Sequence, residues 1–364
     1  MQILSRECLY ATLVAVVPAA ATMAQLPQHT VIPAAYTTSD AASYYWVAGA
    51  SQDVRQQTLI GSSHLQTLLG RSLTALELRR SAADETFQPG TADLTLRLST
   101  SPCSPLRTSR FFVDNVGPDQ VEVFSGLVDL PTSPPQLGPT VAWTASNVVR
   151  IEFQTPFVYT GGTLCVDLIG YAVDGQHASW WMADAEFEVL SGTAVSRGSG
   201  CGIYGGSNGE WSHASRSGLV PGAHAMFSAY GTPSGLALAA FGTYQPLPLP
   251  LTALGLPAPG CSLHLGSLDV MMPAIFEPPI HPELANLGGE AVIRFWVPDD
   301  VAMFGASLTA QWFDLSQLAT SNAMECAVAS QMPTLDMSVV DGLAAEPDGL
   351  ATVHISHVMR FEHQ

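Results

Sequence analysis

What most restricts the fold of this chain is how quickly its apolar runs end: from residue 43 onward they are cut every few positions by Gly, Pro, Asn or Asp. Runs that short, rich in Val, Leu, Ile and aromatics, form strands, whereas an amphipathic helix needs apolar residues recurring every three or four positions over a longer span. Leu94-Thr95-Leu96-Arg97-Leu98 alternates strictly, so three leucines share one face, the pattern of a half-buried strand. Further strands are expected at residues 44–48, 73–79, 121–124, 148–153, 163–169 and 181–189, and beyond them at 236–241, 261–265, 291–297, 308–313, 327–330 and 351–361. With 31 Gly and 26 Pro to turn the chain between them, the pattern is all-β, built of antiparallel, jelly-roll-like sandwich modules. Pro246, Pro248 and Pro250 alternate with Leu247, Leu249 and Leu251. Proline cannot donate to an inner ladder, so this stretch is expected to be an extended crossing loop packed by its leucines.

Residues 1–24 fit a secretory signal. Arg6 precedes an apolar stretch over residues 9–21, shorter than the about 20 residues a bilayer span needs, and Thr22 and Ala24 are the small residues before a cleavage point. No later segment reads as a membrane span. The remaining length exceeds what one core usually organises, so two sandwich-like modules are expected, 25–195 and 196–364, meeting in the turn-rich stretch 191–209. Loss of Cys8 with the signal leaves Cys103, Cys165, Cys201, Cys261 and Cys326 in a compartment that permits disulfides. Spacing does not give the connectivity; Cys201 with Cys261 is the preferred pair.

The formal net charge of −18 is thinly spread, and all 13 basic residues are arginine. Only Arg79-Arg80 are adjacent, so the clustered basic surface that a nucleic-acid partner requires is missing. The acidity itself suits a protein that must stay soluble outside the cell.

Motifs with chemical meaning are sparse. Gly205-Gly206-Ser207-Asn208-Gly209 fits G-x-S-x-G, but residues 210–218 carry no apolar helical face after it, so a glycine-rich turn is the better reading. Asp184, Glu186 and Glu188 alternate with apolar residues and are expected on the solvated face of a strand rather than as a glycosidase pair, whose members usually come from separate elements. His354 and His357 are three apart in extended sequence, which points them to opposite faces. Asp341-Gly342 and Asp348-Gly349 need no metal as turns; no cofactor is required, and the sequence leaves room only for a structural calcium between these loops. The strongest binding signal is aromatic: Tyr171, Trp180, Trp181 and Trp211 surround polar residues in the way indole faces and amides receive sugars.

A series of landmarks runs through the second half: Gly200-Cys201, Pro248-Leu249, Leu254-Gly255, Gly260-Cys261-Ser262-Leu263, Val297-Pro298, Gln311-Trp312 and Ser321-Asn322-Ala323. Leu78-Arg79-Arg80, Asp114-Asn115-Val116-Gly117, Val123-Phe124-Ser125-Gly126 and Thr155-Pro156-Phe157-Val158 mark the first half. In this order they resemble uncharacterised two-module secreted β-proteins of planctomycete-type bacteria, a likeness that implies architecture and export. Residues 209–217 depart from the pattern, as does a tail after Val340 with a terminal strand of its own. The functional expectation is an exported, non-catalytic envelope, adhesion or carbohydrate-binding component whose partners are glycans or other envelope proteins. A secreted hydrolase and a purely structural surface-layer or matrix protein are the alternatives.

Overall fold

Alternation along the longest strands builds the first core. The computed structural model describes residues 26–173, 181–204, 211–278 and 288–364. The chain opens with β1 (Gln28–Ile32), β2 (Ser43–Trp46), β3 (Val54–Ile60), β4 (Ser72–Arg79), β5 (Gly90–Ser101), β6 (Val121–Leu130), β7 (Val148–Val158), β8 (Thr163–Ala172) and β9 (Met182–Phe187). It continues through β10 (Thr193–Arg197), β11 (Ser212–Ala214), β12 (His224–Gly231), β13 (Leu236–Gly242), β14 (Tyr244–Pro250), β15 (Ser262–Leu265), β16 (Val270–Ile275), β17 (Gly289–Trp296), β18 (Ser307–Asp314) and β19 (Ala319–Ala327). The last four strands are β20 (Met337–Leu343), β21 (Leu350–Thr352), β22 (Ile355–His357) and β23 (Met359–His363). The described ladders are antiparallel throughout, and only short 3₁₀ turns interrupt them, two of these falling in the stretch 62–69.

The strand order departs from a sequential pair of modules. A six-stranded sheet, β21-β20-β3-β8-β5-β6, faces a four-stranded sheet, β1-β23-β4-β7, and β2-β9-β22 flanks them. Leu94, Leu96 and Leu98 of β5 meet Leu76 and Leu78 of β4, Ile151 of β7 and Phe361 of β23 in one buried cluster. The C-terminal strands are thus integral to the first sandwich: β20 lies between β3 and β21, and β23 lies between β1 and β4. Among the described residues, strands β10 to β19 pair only among themselves, as β10-β19-β18-β13-β16, β11-β12-β17 and β14-β15. The partition at residue 195 is therefore corrected. The second module is inserted between β9 and β20, and residues from 337 onward return to the first. The physical reason is that β23 buries Met359 and Phe361 in the first core, a long-range pairing with no local signature.

Entry and exit of the insertion are tied together by one side chain. The Glu188 carboxylate accepts from Thr334 N–H at 2.8 Å, Thr334 Oγ1 at 2.8 Å and Leu335 N–H at 3.1 Å. Beneath this neck, Leu190 and Val353 pack against Val220, Ala223 and Ala329 of the inserted module. Within the insertion, Cys201 and Cys261 form a disulfide, the preferred pair. The proline-alternating stretch is an edge strand, β14, whose pairing with β15 is interrupted between Tyr244 and Leu249 because prolines offer no N–H; Leu247 is left exposed rather than packed.

Candidate functional site

The aromatic set does not assemble. Trp181 is fully buried in the first core, its Nε1 donates to Pro131 O at 3.1 Å, and its ring meets Phe87 edge-on at 5.6 Å. Trp211 is buried in the core of the inserted module, and Tyr171 is exposed, near the end of β8. Trp180 lies outside the described residues. The expectation of one aromatic binding face is corrected: two of its members are packing residues of different cores, where a large flat ring excludes most water.

The other motifs are absorbed in the same way. Asp184 is buried rather than solvated: it takes Ala41 N–H at 2.9 Å and pairs with the Arg79 guanidinium, which also donates to Val141 O at 2.8 Å and Ser39 O at 2.5 Å. Burial pushes the Asp184 carboxyl up to about 6, against the pull of Arg79. Glu186 accepts from the Tyr36 hydroxyl. Ser207 lies outside the described residues. His354 and His357 are both buried, and burial lowers each of them, His357 to about 4. Asp341-Gly342 lies within strand β20 rather than in the expected turn, because its backbone pairs with Gln56 and Arg55 of β3. Asp341 faces Gln56 and Tyr45 while Asp348 pairs with Arg110, so the two carboxylates are committed separately. Among the described residues no group of three or more His, Cys, Asp or Glu is placed to hold a metal ion.

One open feature remains. Among the described residues, β6 ends the six-stranded sheet and β7 ends the four-stranded sheet, and no ladder joins them. The Gln154 side chain bridges them instead: its Nε2 donates to Ser125 O at 2.9 Å and its Oε1 accepts from Ser125 N–H at 3.3 Å. Beside this bridge a groove of about 460 Å³ is lined by Phe124, Leu127, Asp129 and Pro131 on one side and by Val148, Arg150 and Glu152 on the other. Leu127 is 68% exposed, which for a leucine beside a groove leaves an apolar contact unused. Arg150 is held by Glu77 at 2.9 Å and Glu362 at 3.0 Å. Burial alone would push Glu77 up; hydrogen bonds from Arg360 and Arg150 outweigh it and hold the carboxylate low. Behind this network the Trp143 ring lies between the guanidinium groups of Arg79 and Arg360, at 4.8 and 4.6 Å, and donates through Nε1 to Thr37 O.

No protein-family model matches this chain. No curated protein is similar enough to align with it either. Among solved structures, the cryo-EM structure of the T=1 Penaeus vannamei nodavirus aligns over 93% of this chain and 97% of its own, at 11% identity and a TM-score of 0.09. A score that low carries no argument about fold or function.

Chemically, the groove offers an apolar floor, two exposed carboxylates and two strand edges, which is equipment for holding a ligand rather than for transforming one. Sequence reading missed it because its parts are ordinary singly: Gln154, Arg150 and Glu152 carry no motif. The one available signal was the alternation of β7, which sets Arg150, Glu152 and Gln154 on one face between Val149, Ile151 and Phe153.

Proposed function

We propose that this chain is an exported, non-catalytic binding component of the cell envelope or extracellular matrix, and that it engages its partner through the groove between β6 and β7. The observation that carries this reading is the contrast in how polar groups are used. The carboxylates that a hydrolase would need, Asp184 and Glu186, are spent on Arg79 and Tyr36, whereas the groove carboxylates Asp129 and Glu152 have no cationic partner among the described residues. The signal expected from the sequence of residues 1–24 supports export, and so does the disulfide, which persists in oxidising compartments. No helix among the described residues is long and apolar enough to cross a membrane. The landmark order resembling secreted planctomycete-type proteins points the same way.

The test is a glycan array together with an envelope pull-down, using the purified chain from residue 25 and an Asp129→Lys/Glu152→Lys variant. The reading expects at least one glycan or envelope-protein partner whose capture falls in the variant. An empty array and an empty pull-down, with turnover of ester or glycoside substrates, would replace it with the hydrolase.

A further inference from the structure

Antiparallel pairing leaves alternate residues of an edge strand with both backbone groups turned outward. On β6, Ser125 is opposite Thr95 of β5, and its N–H and C=O point away from β5, since both are taken by the Gln154 amide. The period of two then turns the N–H and C=O of Leu127 and Asp129, opposite Asp93 and Thr91, toward the same side. Among the described residues no strand pairs with that side, and none pairs with the outer side of β7. Gln154 is in effect a single peptide unit of a missing strand, docked at the end of a groove whose length it does not fill.

The groove also selects by charge. Asp129 and Glu152 are exposed carboxylates, and Arg150, the one cation among its lining residues, is already shared by Glu77 and Glu362. The surplus is negative, on a chain of net charge −18 with no lysine. A second copy would bring more of the same sign, which electrostatic complementarity disfavours. A basic segment would meet opposite charge.

We infer that the β6–β7 groove accepts an extended, basic polypeptide segment as an added strand. The incoming backbone pairs with Leu127 and Asp129. On the face that Leu127 and Asp129 share, its side chains are lysines or arginines, whose aliphatic stems cover Leu127 and whose charges reach Asp129 and Glu152. The apolar side chains alternating with them turn to the opposite face, the side of Phe124. This mode draws affinity from main-chain hydrogen bonds and specificity from alternate side chains. The inference rests on the binding reading above and names the partner class.

The test uses the full mature chain and three capped eight-residue peptides: alternating lysine and valine, alternating glutamate and valine, and the lysine peptide N-methylated at every second residue. Fluorescence anisotropy measures affinity, and hydrogen exchange reads the amides of β6. The lysine peptide is expected to bind and to slow exchange at Leu127 and Asp129. N-methylation on the edge facing β6, and separately Asp129→Lys/Glu152→Lys, are each expected to weaken it about tenfold or more. The variant should keep the wild-type circular dichroism and melting temperature, since both residues are exposed on edge strands. Equal binding of the N-methylated peptide would show charge attraction without strand addition and overturn the inference. Equal binding of the glutamate peptide, or self-association of the chain protecting β6, would overturn it as well. If a glycan occupies the groove and the lysine peptide does not, this inference fails while the binding reading stands; if no partner of any class is captured, both fail.

Discussion

The outer sandwich and the inserted module solve the same packing problem with different materials. The outer core is mainly aliphatic, with Leu94, Leu96, Leu98, Ile151 and Val166 interleaved between two long sheets and aromatics such as Trp181 and Phe361 among them. The inserted core alternates small and very large residues: Ala225, Ala229, Ala237, Ala239 and Ala310 lie among Trp211, Trp312, Phe227, Phe241 and Phe276. The outer sandwich closes on itself through the chain ends, β23 pairing with β1, and anchors its loops with buried guanidinium groups; its cysteines, Cys103 and Cys165, are free. The inserted module has no chain terminus to close on and ties itself with Cys201–Cys261. A domain interrupted by another depends on long-range strands, whereas the interrupting domain depends on a local staple. The open site lies in the outer sandwich, where β6 and β7 end two sheets beside each other with no ladder between them among the described residues.

The largest expected effect comes from removing residues 337–364. Because β20 and β23 are inner strands of the two outer sheets, the truncated chain should lose cooperative unfolding of the outer sandwich, read as loss of the near-ultraviolet circular dichroism to which buried Trp181 contributes. A sequential pair of modules would instead keep it. Next is Asp184→Ala, which leaves the Arg79 guanidinium buried without its carboxylate. Denaturant unfolding should show a loss of about 3–5 kcal/mol in the outer transition, with the inserted module unaffected.

Acid sharpens the comparison further. Burial holds His357 at about 4 against an ordinary 6.5, so the fold favours its neutral form; this stability is intact above pH 6.5 and is lost as pH falls toward 4. The shift corresponds to about 3 kcal/mol, and His357→Gln should reduce the pH 7 to pH 4 loss in the outer transition by roughly that amount. Asp184 and Asp341 act in the opposite sense: burial raises both to about 6, so their cost is felt above pH 6 and relieved as pH falls. Asp341→Asn should therefore stabilise the outer sandwich near pH 8 more than near pH 5, in paired thermal melts at the two pH values. As Asp341 is coupled to Tyr45 and Gln56, this is the smallest of these effects.

How much of this was legible in the sequence follows from which contacts are local. The alternation of Leu94, Leu96 and Leu98 identified β5, and the turn residues identified an all-β chain with a break near residue 191. β3 escaped notice because Gln56, Gln57 and Thr58 look like a surface loop. In the fold they are the buried middle of a six-stranded sheet: Gln56 donates to Trp46 O at 3.0 Å, and Gln57 donates to Phe112 O at 3.0 Å and accepts from Asn115 at 3.1 Å, so the fold itself supplies Gln57 with a donor and an acceptor. The tail after Val340 was seen to be unusual, but nothing in its residues says that it pairs with strands some three hundred positions earlier. Trp181 and Trp211 signalled binding because exposure is invisible in sequence, and the groove went unseen because it exists only where two sheets end together.

The interleaved architecture is tested most directly by hydrogen exchange with and without a reductant. Opening Cys201–Cys261, which closes a loop with a sequence separation of 60, should destabilise the inserted module by about 4 kcal/mol. Exchange should then rise across residues 193–327, while residues 337–363 stay as protected as β3 and β4. If residues 337–363 instead lose protection together with β10 to β19, they belong to the second module and the account is wrong.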